Sequence, residues 1–468
     1  MSAGEIIVRY LIMLKKFDGS LWKKIICAVA CHFKANGSRQ RMMRMMNPGN
    51  SKYVKRLNRM TVLNIIKQHE PVSRNQLAAL TGLTPPAITG IIRELLDLGF
   101  VEETGLGNSR GGRRPMKLRL NGKAGYVIGL EVTHFETVIA CADLKNEPTD
   151  ISAYSIDMTE PETGLPQLVQ LVNEMMNSAP YKDKKFLGVG VAFPGLLKGS
   201  KDLVERSINL GVKWNGFPVK KYLEDQLGLP VFLESNAKAA ALAERWYGGG
   251  TNCKDLVYVN LGEGISAGVI MDDQIMQGNH GYAGQIGHIV VIEEGPLCNC
   301  GNRGCIEAVC GVPALLRKAV AELPLVDERD PLRQIWQTLG RITIHDLVRC
   351  AHSEGSYAWT LFQQVGRYVG VAVANLINMY NPEVLFLGGK LSKAADVFLA
   401  VLRDTVNSHA FPQIAGTTEI KVSPLGGNQG VIGSCALVLR TLLQLSQAGI
   451  LDDVSVNSER TPELYNSD

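Results

Sequence analysis

The sequence predicts an α/β protein with an N-terminal winged helix-turn-helix followed by two related α/β lobes. Residues 73–99 form two helical patterns joined by a tight turn at Gly82, as in a helix-turn-helix. Residues 100–120 then alternate as strand, glycine-rich loop and strand, which is the pattern of a wing. A strand–turn–strand pattern followed by helix and strand begins near residue 126 and again near residue 255, which predicts two lobes facing each other across a cleft.

Length and composition limit the class of protein. The chain has 468 residues, enough for about three domains, and a net charge of +4. That charge is too small to indicate nucleic-acid binding by itself, so any basic surface must be local. The ten cysteines do not form a framework spread through a small secreted domain, which favours a reducing, cytoplasmic setting. No apolar run reaches the roughly 18–20 residues of a membrane helix.

The chain divides into four predicted segments. Residues 1–51 are an extension without an assigned role, 52–121 the winged helix-turn-helix, 122–445 the two lobes with a division near 248, and 446–468 a tail. The extension mixes apolar and basic residues, a pattern also found in interfacial helices and signal peptides. Asp18 interrupts any signal-peptide core, and Met45 or Met46 would be reasonable alternative starts.

Local signals define the helices of the first domain. Residues 60–69 are amphipathic, and Ser73 with Gln76 forms a capping box that opens the second helix. Thr84 is expected to cap the third helix, with Pro85 at its first position and Gly99 after its end. An apolar stripe lines one side of this third helix at Ile88, Ile91, Ile92, Leu95 and Leu96.

The opposite side of the third helix and the wing carry the predicted DNA contacts. Base edges would be met by Thr84, Pro86, Ala87, Thr89, Gly90 and Arg93. The wing loop contributes Arg110, Arg113 and Arg114, which suit a narrow A·T-rich minor groove. The alternative is a three-helix protein-interaction module with a solvated basic loop.

One histidine and three cysteines have metal-ligand spacing. His288, Cys298, Cys300 and Cys305 form a four-ligand set of the kind that Zn²⁺ takes. Four protein ligands predict a closed, structural site rather than a catalytic zinc with an open position. The alternative is a group of buried or redox-active cysteines beside an unrelated histidine.

Four motifs resemble the ROK family of bacterial repressors and sugar kinases. They are GYAGQIGH at 281–288, CNCGNRGCIE at 298–307, LGEGISAG at 261–268 and the winged helix itself. Within the family, the chain resembles the repressor branch, typified by the xylose, N-acetylglucosamine and Mlc-type regulators. The resemblance implies a two-lobed actin-like (ribonuclease-H-like) fold, a sugar cleft between the lobes, a structural zinc and an N-terminal DNA reader.

The resemblance also implies a set of sugar contacts. They are Gly195, Asn209, Ser235, Asn236, Gln285, His288 and Glu307. Two of them depart from the family pattern, because Gln285 stands where the family has glutamate and Ser235 where it has asparagine. Amides and carboxylates suit vicinal hydroxyls, and His288 would serve both metal and sugar. The alternative is a cleft that no longer binds sugar.

Three departures from the kinases predict that the chain has no catalytic residues. The first phosphate loop, at 131–135, lacks the kinases' glycines. Glu263 stands in the second loop where kinases have threonine or serine, and a carboxylate there would repel phosphate by on the order of 4 kcal/mol. Asn236 occupies the position of the general base and has no basic lone pair. The alternative is an ATP-dependent hexose or amino-sugar kinase.

These features together predict a sugar-responsive DNA-binding regulator of carbohydrate metabolism genes, with repression as the expected direction. A homodimer or homotetramer would present two winged helices to two half-sites. A sugar closing the cleft would change the spacing of the readers. A sugar-transporter protein is a further expected partner, because the Mlc-type regulators bind one.

Overall fold

The structure is a computed structural model, and it describes residues 51–106, 114–134, 136–145, 148, 150–198, 202–207 and 210–445. The chain divides into two compact units, Met1–Arg59 and Met60–Asp468. Of the first unit, residues 51–59 are described, as the beginning of helix α1 (Ser51–His69). All other described elements belong to the second unit. Within the described residues, no helix is long and apolar enough to cross a membrane.

A small winged helix-turn-helix follows α1. Its elements are β1 (Val72–Ser73), α2 (Arg74–Thr81), α3 (Pro85–Asp97), β2 (Val101–Leu106) and β3 (Met116–Leu120). The three strands form one antiparallel sheet in the order β1-β3-β2. The predicted apolar stripe lies against the core of this unit: Ile88, Ile92 and Leu95 have no exposed surface.

The ends of helices α1, α2 and α3 agree only in part with the predictions. The Ser73–Gln76 capping box is confirmed, and Gly82 ends α2 in the left-handed conformation at φ 69°. Thr84 is the residue before α3, but the prediction that its side chain caps the helix is wrong, because it makes no cap hydrogen bond. Helix α1 begins at Ser51 rather than at Met60.

The first lobe is built on a five-stranded sheet. Its strands are β4 (Tyr126–Val132), β5 (Thr137–Asp143), β6 (Ser152–Tyr154), β7 (Phe186–Phe193) and β10 (Val231–Ser235), with a side hairpin of β8 (Leu196–Leu197) and β9 (Val204–Arg206). Its helices are α4 (Pro161–Asn177) and α5 (Val219–Leu227), followed by α6 (Asn236–Trp246). The sheet order is β10-β7-β4-β5-β6.

The second lobe repeats this plan. Its strands are β11 (Leu256–Leu261), β12 (Ile265–Met271), β13 (Gln274–Ile275), β14 (Val384–Gly388) and β15 (Glu419–Val422). Its helices are α7 (Ile306–Cys310), α8 (Val312–Glu322), α9 (Pro331–Leu339), α10 (Ile344–Ala351), α11 (Tyr357–Tyr380), α12 (Ala395–His409), α13 (Pro412–Ala415) and α14 (Gln429–Leu445). The order β13-β12-β11-β14-β15 matches that of the first sheet when the first sheet is read from its other edge, as β6-β5-β4-β7-β10. In each lobe the second strand of the chain, β5 or β12, is antiparallel to the central strand, β4 or β11. This shared order is the predicted duplication.

Helices α6 and α14 exchange lobes. Helix α6 follows a strand of the first lobe but lies on the second sheet, where a Cβ on Gly268 would come within 2.2 Å of Ala237 O. Helix α14 follows the second lobe but lies on the first sheet, where a Cβ on Gly190 would come within 1.9 Å of Ser434 O. The two helices touch where a Cβ on Gly433 would come within 1.7 Å of Ala239 O. Glycine at these crossings permits close backbone approach, so the two helices form the junction between the lobes.

Candidate functional site

The four predicted metal ligands come together. The ligand atoms of His288, Cys298, Cys300 and Cys305 all lie within 4.8 Å of one another. Cys298 Sγ is 3.7 Å from His288 Nδ1, and Cys300 Sγ is 3.7 Å from Cys305 Sγ. Cys298 and Cys305 are buried, whereas His288 and Cys300 are half-buried. Three thiols and one imidazole at these distances could bind a metal ion.

Backbone turns aim these side chains at one point. The Cys298 N–H donates to Asn302 O at 2.8 Å, and the Gly301 N–H donates back to Cys298 O at 2.9 Å. A Cβ on Gly304 would lie 1.5 Å from Ile292 O, and Gly304 also has φ 69°, so only glycine fits there. The glycines in the cysteine motif therefore let Cys300 and Cys305 approach each other.

A cavity of about 600 Å³ lies between the two lobes. Six of the predicted ligand residues line it: Gly195, Ser235, Asn236, Gln285, His288 and Glu307. The seventh, Asn209, lies outside the described residues. His288 thus belongs both to the histidine–cysteine cluster and to the cavity wall. The cavity is large enough for a sugar-sized ligand.

Asn236 lines the cavity and has one buried acceptor without a described partner. Its Nδ2 donates to Val132 O at 3.2 Å, which fixes the orientation of the amide. Its Oδ1 is buried, and no described residue donates to it. A buried carbonyl without a partner is costly, so a ligand hydroxyl donating to Oδ1 would be favoured.

Glu307 is held by the first residue of β12. It lies in the first turn of α7, and its Oε2 accepts from the Ile265 N–H at 2.8 Å. The residue also lines the cavity. This arrangement presents a positioned carboxylate oxygen to a ligand, a group that suits hydroxyl donors.

Glu131 is bound at the N-terminus of α14. Its Oε2 accepts from the Val431 N–H at 3.1 Å. Its carboxylate occupies the space where Gly430 has no side chain, because a Cβ there would lie 2.2 Å from Glu131 Cδ. Burial raises the pKa of Glu131 to about 7, the Val431 N–H opposes this shift, and Glu136 adds to it. Glu131 thus occupies a helix N-terminus that could otherwise receive an anion.

The predicted DNA contacts lie mostly on the open face of α3. Thr84, Pro86, Thr89, Gly90 and Arg93 are exposed, and Ala87 is half-buried. The Thr89 hydroxyl donates to Pro85 O at 2.9 Å. In the wing, Arg114 is exposed, whereas Arg110 and Arg113 lie outside the described residues. The exposed face of α3 is therefore accessible for insertion into a DNA groove.

Two lysines near the cavity were not predicted as part of the site. Lys390 lines the cavity and pairs with Glu263, with Nζ 2.9 Å from Oε1. Lys238, which is 2% exposed, donates to Gln277 Oε1 at 3.1 Å and to Gly281 O at 2.6 Å. Lys238 comes two residues after Asn236 in the sequence, and a lysine so close to the predicted ligand residues was a usable signal. Lys390 follows Gly388 and Gly389 at the end of β14 but belongs to no comparable pattern.

Comparison with known proteins gives concordant matches. Residues 127–441 match the ROK family profile, and residues 56–106 match that of the MarR family. A putative xylose repressor of Caldicellulosiruptor sp. (strain Rt8B.4) is 31% identical over 401 residues, which cover 84% of this chain and 98% of the relative. A glucokinase of Halalkalibacterium halodurans is 34% identical over 263 residues, which cover 56% and 79%. The crystal structure of a ROK family transcriptional regulator, a homologue of the E. coli MLC protein, aligns with a TM-score of 0.74 at 25% identity, covering 86% of this chain and 100% of that one.

Proposed function

Because the chain belongs to the ROK family, we propose that it is a sugar-responsive DNA-binding repressor of carbohydrate metabolism genes without kinase activity. The observation that carries the proposal is the joining of two features in one chain. A winged helix with an open recognition face precedes a cleft whose general-base position holds the amide of Asn236. Relatives that match over nearly their whole length are named as repressors.

Loss of the general base is the main argument against phosphoryl transfer. Asn236 can hold a hydroxyl through Oδ1 but cannot remove its proton. Glu131 adds a second obstacle, since its carboxylate already accepts from the Val431 N–H at the start of α14. A phosphate arriving there would have to displace it.

The proposed effector is a sugar or sugar derivative. Asn236 Oδ1 and the Glu307 carboxylate would accept from ligand hydroxyls, and Gln285 can both accept and donate. Gly195 and Ser235 would complete the wall, and Asn209 stays a proposed contact that lies outside the described residues. The names of the relatives make D-xylose and N-acetylglucosamine the first ligands to test.

Zn²⁺ is the proposed occupant of the His288–cysteine cluster. Tetrahedral zinc with bonds of about 2.0–2.3 Å places its ligand atoms about 3.6–3.8 Å apart. The measured separations of 3.7 Å for a sulfur–nitrogen pair and for a sulfur–sulfur pair fit that geometry. With all four positions taken by protein, the ion would have a structural role and would fix His288 beside the cleft.

The winged helix-turn-helix also suggests how the protein would bind DNA and how it would assemble. We propose that α3 enters the major groove with Arg93 and its neighbours, while Arg110, Arg113 and Arg114 of the wing approach the minor groove. Two readers in a homodimer or homotetramer would match two half-sites. The proposed domain limits are 52–121 for the reader and 122–445 for the sugar-binding part, and the proposed compartment is the cytoplasm. A sugar-transporter protein remains a proposed second partner.

Selection from a random double-stranded DNA pool tests the proposal. The wild-type chain should enrich a near-palindromic sequence, and D-xylose or N-acetylglucosamine should weaken retention of that sequence. Arg93→Glu should abolish retention, whereas Lys221→Glu, a charge reversal at an exposed position of α5, should leave it unchanged. Equal retention by Arg93→Glu and wild type would overturn the assignment of α3 as the reader.

A sugar kinase is the second candidate, since a glucokinase is among the relatives. An ADP-release assay with ATP and a hexose and amino-sugar panel separates the two functions. Turnover above the rate without sugar would favour the kinase, and its absence with DNA binding intact would favour the repressor.

A further inference from the structure

We propose that helix α6 is a strut that couples the cleft mechanically to the winged helix-turn-helix. Lys238 would link its first turn to the cleft, and Trp246 with Tyr247 would link its end to Lys67 of the reader. The regulatory meaning of this coupling rests on the proposed function, whereas the coupling itself is a physical property of the folded chain. It would give the cleft a route to the DNA reader.

The first turn of α6 is tied to the loop that carries the cleft residues. Lys238 is 2% exposed, and its ammonium donates to Gln277 Oε1 and Gly281 O. Residues 277–281 lead directly into Gln285 and His288 of the cavity wall. Separating a buried ammonium from its acceptors is costly, so the loop and the start of α6 should move together.

The body of α6 can act as a rigid element. Its 11 residues include five alanines, the best helix former, and span about 16 Å at about 1.5 Å per residue. Glu244, fully buried near its end, accepts from the Ser423 hydroxyl and from the Gly249 N–H at 3.2 Å. Gln429, at the start of α14, donates to the same Ser423 oxygen at 2.7 Å. These contacts join the end of α6, through Ser423, to the start of α14.

The end of α6 meets the reader. Lys67 Nζ lies 4.1 Å from the ring centroid of Trp246 and 4.5 Å from that of Tyr247, within the range of cation–π attraction. Lys67 is in the last turn of α1, directly after Ile66, which is fully buried in the core of the winged helix. A displacement of the Trp246 ring would therefore be felt by the helix that precedes β1 and α2.

A second contact joins the winged helix-turn-helix to the first lobe without involving α6, and it serves as a control for the proposed coupling. Glu70 pairs with Lys145 at 2.7 Å and also accepts from the Leu120 N–H at 2.7 Å. Lys145 follows β5 and has no part in the Lys238 or Trp246 contacts. Breaking this pair should loosen the reader locally, without an effect on the loop at 277–288.

Hydrogen–deuterium exchange of the full chain, without sugar or DNA, tests the strut. Lys238→Met should raise the exchange rate of amides in residues 60–69 by about threefold or more, at a distance from the substitution. Gln277→Ala, which removes one Lys238 acceptor at a half-buried site, should do the same and decides the test if the Lys238 variant fails to fold. Lys390→Met is the matched control, a cleft lysine that pairs with Glu263 instead.

A second experiment perturbs the other end of α6, because coupling between two sites acts equally in both directions. Lys67→Met should raise exchange in residues 277–288, whereas Lys145→Met should not. Exchange changes confined to each variant's own neighbourhood would overturn the strut. Such a result would leave the repressor proposal intact, and failure to bind DNA would remove the repressor proposal while leaving an observed coupling in place.

Discussion

The carboxylate of Glu263 and the ammonium of Lys390 form an ion pair on the wall of the cleft, with Oε1 and Nζ 2.9 Å apart. Glu263 alone was expected to repel phosphate by on the order of 4 kcal/mol. Lys390 offsets most of that charge, so simple repulsion is not the main obstacle to a nucleotide. The pair instead removes a lysine that would otherwise be available to an anion.

Removing the carboxylate should therefore make the cleft more receptive to anions. We expect Glu263→Gln to bind inorganic triphosphate about five- to thirtyfold more tightly than wild type, because Lys390 is released and one negative charge is lost. Isothermal titration calorimetry measures this. The double variant Glu263→Gln, Lys390→Met should lose the gain, and an unchanged affinity in the single variant would contradict the role given to the pair.

Asn236→Asp should not create a kinase. The new carboxylate would face Val132 O in place of the Nδ2 donor, at 3.2 Å in the wild type, and would be pushed from that orientation. Glu131 would still occupy the start of α14. We expect no ADP release above background with ATP and any hexose of the panel. Measurable turnover would mean that the base alone had been missing, and that the loops still bind nucleotide.

The N-cap residues of α2 and α3 should contribute differently to the stability of the winged helix-turn-helix. Ser73→Ala removes the Oγ that accepts from the Gln76 N–H, and should lower the free energy of unfolding by about 1 kcal/mol. Thr84→Ala is the control, because the Thr84 side chain makes no cap hydrogen bond, and it should change stability by less than about 0.5 kcal/mol. Urea denaturation measures both, and equal losses would contradict the assignment of the caps.

Glu131 should make stability depend on pH. Its pKa is about 7 in the folded chain against an ordinary 4.5, so the folded state binds the extra proton and the free energy of unfolding falls as pH rises through that range. Glu131→Gln should match wild type near pH 5 and exceed it by about 1–3 kcal/mol at pH 8. Urea denaturation at both pH values measures this, with Glu162→Gln, at an exposed position of α4, as control. A gain that is equal at both pH values would argue against a raised pKa.

Metal removal should weaken the second lobe. The purified chain should contain about one equivalent of zinc, measured by plasma mass spectrometry. Cys300→Ser should lose it and unfold at a lower temperature, because the loop at 298–305 is left without its shared ion. Cys253→Ser is the matched control, a half-buried cysteine outside the cluster. Full zinc content in Cys300→Ser would remove that residue from the ligand set.

Features set by neighbouring residues could be predicted from the sequence. The Ser73–Gln76 box and the left-handed Gly82 depend on contacts within one turn, and both are present. The pattern after the second glycine turn predicts a strand over 268–271, which is too short, because β12 already begins at Ile265. The apolar periodicity predicts a helix over 165–176, whereas α4 extends over Pro161–Asn177.

Features set by distant packing could not be predicted. The exchange of lobes by α6 and α14 depends on glycines such as Gly433 meeting a helix nearly 200 residues earlier in the chain. The pairing of Glu263 with Lys390 likewise joins residues 127 positions apart. The sequence suggested which residues line the cleft, but it could not show their hydrogen-bond and ion-pair partners. Those partners determine which atoms remain available to a ligand.

The close fit of Glu131 against Gly430 makes the two positions dependent on each other over evolutionary time. A methyl group at 430 would push the carboxylate away from the Val431 N–H, and a shorter residue at 131 would leave that N–H open. Relatives with glutamate at the first position should therefore keep glycine at the second, whereas relatives without the glutamate are released from that constraint. Covariation of this one pair in an alignment would separate chains that fill their own anion site from chains that leave it open to a ligand.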